Sequence, residues 1–169
     1  MKKALLIVSL FIVLMAVGVP QATAADTADV TVTVTITAVL SVSVSPDSWP
    51  IGAVVEGASP APYPILATND GNVSENFLIM SSGSMIGVNP GWTCGLPAGT
   101  ETFAMTGQGG ALMPDPISIC TEQALAYSVA APDGTVPFTL QFTAPTKTGF
   151  GGVQHSITVT VRAEASTPP

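Results

Sequence analysis

Few side chains in this sequence are equipped for chemistry, and their spacing limits what they can do. His155 is the only histidine among 169 residues. A serine nucleophile needs a base beside a prepared turn, and no Gly-x-Ser-x-Gly sequence is present. His155 falls at the start of an alternating apolar run, on the register expected to face inward, which is the setting of a packed or hydrogen-bonded histidine. Asp115 lies between Pro114 and Pro116, and Asp133 precedes Gly134; both read as turn residues. Two cysteines with one histidine do not make a zinc site. Nothing supports a carboxylate pair for glycoside chemistry. The inventory therefore predicts no enzyme and calls for no cofactor.

Three smaller constellations bear on binding. Asn69, Asp70, Asn72 and Glu75 gather oxygen atoms in one short segment, a weak Ca²⁺ candidate. Their spacing is not that of an EF-hand, and a plain turn is the expected reading. Asn72-Val73-Ser74 is a glycosylation sequon. Trp92, in Asn89-Pro90-Gly91-Trp92-Thr93-Cys94, is either a platform for stacking on a sugar or a ring packed against a disulfide.

The N-terminus sets the compartment. Lys2 and Lys3 precede an apolar run from Ala4 to Val19, and Ala22-Thr23-Ala24 supplies a small-x-small cleavage pattern. This order is that of a secretory leader, predicted to span residues 1–24. The run is marginal for a permanent span, which takes ~20 apolar residues. No cysteine immediately follows the cleavage site, so no lipid anchor is expected, and no membrane insertion after cleavage. Removal of the leader leaves Lys147 and Arg162 against 11 carboxyl groups, a net charge of about −9 in place of −7. Two cations cannot cover a phosphate backbone, so nucleic acid is excluded as a partner. Export also makes a disulfide the natural state of Cys94 and Cys120. It is expected to staple an irregular, Gly/Pro-rich loop with little core of its own.

The elements that carry these residues read as β-structure. The chain beyond the leader favours Val, Thr, Ser, Gly and Pro over Lys, Glu, Leu and Arg, the preference of strands over helices. From Val30 to Val44 apolar residues occupy the even positions and Thr or Ser nearly all the odd ones, a period of two. The period recurs over Phe138, Leu140 and Phe142 and over Val153, His155, Ile157, Val159, Val161 and Ala163. Strands at Tyr63–Thr68 and Glu75–Met80 flank Asn69-Asp70-Gly71-Asn72, a hairpin signal. Weaker strands are expected at Ile51–Val55, Glu101–Thr106 and Leu125–Ala130, with a short helix over Thr121–Tyr127 as an alternative. About seven to nine antiparallel strands after a signal peptide describe an all-β sandwich.

One segment resembles a known module. Pro46-Asp47-Ser48-Trp49-Pro50-Ile51-Gly52-Ala53-Val54-Val55-Glu56-Gly57, followed by Leu66-Ala67-Thr68-Asn69-Asp70-Gly71-Asn72-Val73, resembles the opening of Ig-like domains of the hydin and abnormal-spindle type, found in secreted bacterial surface proteins. The match spans about residues 46–80 and departs from the pattern at Pro50 and at Pro60, Pro62 and Pro64. The resemblance implies an Ig-like sandwich used for structure or adhesion, without an active site.

The predicted organisation is a leader (1–24), a long N-terminal strand (25–45), a sandwich domain (46–165) and a short tail (166–169). A strand of 15 residues would extend ~50 Å, against ~17–20 Å for an ordinary one. Either the chain bends near Thr37–Val39 and changes sheets, or its first part completes a sheet in a neighbouring subunit. In the second case Val30, Val32, Val34 and Ile36 are the inserting donor-strand residues. The resulting expectation is a secreted structural protein of the cell surface, a subunit of an extracellular filament or assembly, whose partners are copies of itself or other surface proteins. The alternative is a monomeric secreted binding module for carbohydrate or another surface ligand, using Trp92 or the loops.

Overall fold

The computed structural model describes residues 30–112 and 114–166; the predicted leader lies outside them. The chain divides into two units, Met1–Ile36 and Thr37–Pro169. The described part of the first, residues 30–36, holds no strand or helix. The second is all-β. Its strands are β1 (Val42–Ser45), β2 (Tyr63–Asn69), β3 (Glu75–Ile86), β4 (Asn89–Pro90), β5 (Thr93–Cys94), β6 (Thr102–Gly109), β7 (Ile117–Ser118), β8 (Gln123–Val129), β9 (Thr135–Thr143) and β10 (Ser156–Ala165). They form two sheets in a curled, sandwich-like arrangement. One runs β1-β2-β9-β6-β5, with β7 also on β6; the other runs β10-β3-β4, with β8 also on β3.

The alternation of side chains explains why these segments bury a core. In β9, Val136, Phe138, Leu140 and Phe142 are buried while the intervening residues are not. These side chains meet Phe103 and Met105 of β6, Phe77 and Ile79 of β3, and Leu125 of β8. In β10, Ile157, Val159 and Val161 are half-buried and alternate with exposed Ser156, Thr158, Thr160 and Arg162. Gly107 is required by this packing, because a Cβ there would lie 2.8 Å from Leu112 Cδ1.

Several expectations need correction. The segment between Tyr63 and Met80 is not a hairpin: β2 pairs with β1 and β9, whereas β3 pairs with β10, β8 and β4. Asn69–Asn72 instead carry the chain from one sheet to the other. The buried Asn69 side chain organises this arch, its amide donating to Val73 O and Val129 O (2.9 Å each) and its Oδ1 accepting from the Gly71 N–H at 2.8 Å. The long first strand is ordered as a ladder only over Val42–Ser45, opposite Leu66–Asn69. A period of two states which side chains share a face; the ladder itself needs a continuous neighbouring backbone, and before Val42 only Val39 O and Ser41 O accept backbone N–H groups, from Asn72 and Asp70, among the described residues. Ile51–Val55 forms no strand, and Thr121–Tyr127 contributes to β8 rather than to a helix.

Candidate functional site

The residues with chemical potential fall into three places. The first gathers around His155, just before β10. Its ring stacks on Trp92 (centroids 3.6 Å apart, planes 11° apart) and meets Phe150 edge-on at 5.7 Å. His155 Nδ1 lies 3.0 Å from Ser84 Oγ on β3. Ser84 Oγ also accepts the Trp92 backbone N–H, which leaves the hydroxyl proton available for Nδ1. Trp92 Nε1 donates to Thr148 Oγ1 at 2.8 Å, and Thr148 Oγ1 donates to Glu101 Oε2 at 2.9 Å. Burial lowers the His155 pKa, with the Glu101 charge opposing that shift. Burial among the aromatic rings thereby favours the neutral form of the histidine, and Ser84, at 2% exposure, is withdrawn from solvent. Sequence reasoning missed this pairing because Ser84 and His155 are 71 residues apart. Trp92 is half-buried with one face on His155, rather than an open platform.

The second place is the arch between β2 and β3, where the four Ca²⁺ candidates lie. Asn69, Asn72 and Glu75 each have one side-chain oxygen occupied by a backbone N–H, while Asp70 is exposed. Asn69 is engaged as described above. Asn72 Oδ1 accepts the Val39 N–H at 2.8 Å, its Nδ2 donates to Thr37 O at 3.0 Å, and Glu75 Oε1 accepts the Ser41 N–H at 2.8 Å. Among the described residues no group of three or more His, Cys, Asp or Glu side chains is placed to hold a metal ion. The arch serves as a clamp: it binds the backbone from Thr37 to Ser41 at the root of the N-terminal segment. Gly71 makes the clamp possible, since a Cβ there would collide with Glu75 Oε1 and Val39 O.

The third place comprises the segment Val30–Ile36 and, separately, the free edges of the sandwich. Val30, Val32, Val34 and Ile36 are 79–86% exposed. They repeat every second residue, so in an extended chain all four project to one side. In the sandwich, β1 ends one sheet and β10 ends the other, and the two approach each other on the same flank. β1 has four residues and β10 has ten.

Cys94 at the end of β5 and Cys120 just after β7 form the expected disulfide, with Cα atoms 5.3 Å apart. The loop it closes is no passive appendage, in contrast to the expectation. It contains β6 and supplies Phe103, Met105, Leu112 and Ile119 to the core. A shallow depression lined by Pro62, Gln108, Pro116 and Gln141 carries no ionisable side chain. No helix among the described residues is long and apolar enough to cross a membrane. No protein-family model matches the chain, and no curated protein is significantly similar to it.

Proposed function

We propose that the protein is exported and acts as a structural subunit of an extracellular assembly, joined to its neighbours by β-strand addition. The exposed stripe of Val30, Val32, Val34 and Ile36 carries this reading. Four large apolar side chains on one side of an extended segment are costly to leave in water, at ~1.5–3 kcal/mol each, and become useful once a neighbour covers them. In this mechanism the backbone of the segment supplies hydrogen bonds to a sheet edge, and the apolar side chains enter the neighbour's core. The disulfide fits an oxidising compartment, and the leader fits export. The sandwich is of the Ig-like kind, and the protein is not an enzyme: the Ser84–His155 contact is a packing device behind Trp92.

The test is the size of the exported product. The full-length gene is expressed in an exporting host, and the processed chain is analysed by light scattering and electron microscopy. A ladder of oligomers or filaments is expected, lost on deletion of Asp26–Ile36. A stable monomer at raised concentration would remove the assembly reading and leave the monomeric binding module.

A further inference from the structure

The free edge of β10 is the one strand edge on the β1–β10 flank long enough to receive the exposed segment, and three observations describe it as an acceptor. β10 pairs only with β3 among the described residues, so the backbone groups on its other side have no ladder partner. Its core-facing residues Ile157, Val159, Val161 and Ala163 touch the core yet are only half-buried. The end strand of the facing sheet explains this, because four residues of β1 cannot cover ten of β10.

Exposed strand edges are normally blunted by charge, proline or a bulge. From Ser156 to Val161 the sequence Ser-Ile-Thr-Val-Thr-Val carries neither charge nor proline. The register shift against β3 sets Ile157–Val159 opposite Ser84–Ser81, which places the extra residue on β3 and leaves β10 regular. The first charges along β10 are Arg162 and Glu164, and Arg162 is engaged with Glu122 and Glu164.

Resting on the strand-addition reading above, we propose that the edge of β10, over Ser156–Val161, is the acceptor for residues Val30–Ile36 of a second copy of this chain. The lengths agree: the seven donor residues extend ~23 Å and the six of Ser156–Val161 ~20 Å. The chemistry agrees as well. Alternating Val and Ile from the donor would complete the half-covered row of Ile157, Val159 and Val161, while its alternating Thr residues would continue the Ser/Thr surface of Ser156, Thr158 and Thr160. A second copy is favoured as occupant because Val30, Val32, Val34 and Ile36 stay 79–86% exposed in the single chain, whose own β10 edge they leave unpaired.

The experiment mixes two populations of the exported chain, each with one new cysteine, and links them with a short bismaleimide. Both native cysteines are in the disulfide, so only the introduced thiols react. One population carries Thr33→Cys; the other carries Thr160→Cys on β10 or Ser43→Cys on β1, all at exposed positions. The expected result is a covalent dimer with Thr160→Cys at several-fold higher yield than with Ser43→Cys. Assembly with linkage chiefly to Ser43→Cys would overturn β10 as acceptor while leaving strand addition standing. Linkage of Thr33→Cys to Thr160→Cys only within a single doubly substituted chain would replace the second copy by fold-back and overturn the proposal. A unsubstituted chain that never assembles would refute the strand-addition reading itself, and this inference with it.

Discussion

Glu75 reaches 34 residues back along the chain to hold Ser41: its buried Oε1 accepts the Ser41 backbone N–H at 2.8 Å. The residue is fully buried and its second carboxyl oxygen has no hydrogen-bond partner among the described residues. A buried polar oxygen left unpaired costs stability, so the bond to Ser41 is one the fold retains despite an unfavourable setting. Its consequence is positional. The chain enters the sandwich at a fixed point, between Thr37 and Ser41.

Replacing Glu75 with alanine removes the acceptor for Ser41 and leaves a half-buried N–H unsatisfied. We predict a loss of about 1–3 kcal/mol, read as a lower urea midpoint with an unchanged slope. Glu75→Gln keeps an oxygen for Ser41 and should lose less. Equal losses in both variants would contradict the role assigned to this bond.

The His155 pocket makes a pH prediction. Burial depresses the pKa in the folded state, and Glu101 only partly restores it. In the unfolded chain the imidazole takes up a proton near pH 6.5; in the folded chain it does so at lower pH. The unfolded state therefore binds more protons in that window, and stability falls as pH drops through 6.5. Urea midpoints between pH 7.5 and 5.5 should decline for the natural protein. The decline should flatten in His155→Phe, since the window lies above the ordinary carboxyl range.

Gly91 lies directly against the same pocket. An added Cβ would lie 2.6 Å from Ser84 Oγ and 2.7 Å from His155 Nδ1. Gly91→Ala should push the two apart and destabilise the protein by about 1–3 kcal/mol. Gly151→Ala meets nothing within 4 Å and should change stability by no more than about 0.5 kcal/mol. Thermal melts of the two variants side by side check the contrast.

Removing the disulfide should cost about 3.5 kcal/mol on loop-closure entropy, for cysteines 26 positions apart. The closed loop carries Phe103, Met105, Leu112 and Ile119, so loosening it should also disturb the core. Cys94→Ser/Cys120→Ser is expected to show this as a lowered midpoint together with weaker near-ultraviolet dichroism. A midpoint shift with the aromatic signal intact would restrict the bridge to the chain-entropy effect.

Local pattern already contained the strand character of this protein and much of its core. The alternation in Phe138–Phe142 and Ile157–Ala163 names the inward side chains correctly, because a pleated strand exposes alternate residues to opposite faces whatever its partners are. The Cys94–Cys120 bridge is likewise expected from the sequence, and the structure forms it. Tertiary structure alone decided who pairs with whom. Asp70-Gly71 is compatible with a hairpin and with an arch. The buried Asn69 amide, bonded to Val129 O from 60 residues away, selects the arch. The run from Val30 to Val44 has one uninterrupted period, yet only Val42–Ser45 gains a ladder, because β2 presents its edge there and nowhere further along. Ser84, Trp92 and His155 form a cluster that no spacing foretells, since His155 joins the nearby Ser84 and Trp92 from 71 residues beyond Ser84. Side-chain alternation is a property of one strand, whereas strand neighbours and pockets depend on contacts distant in sequence, which a local pattern does not encode.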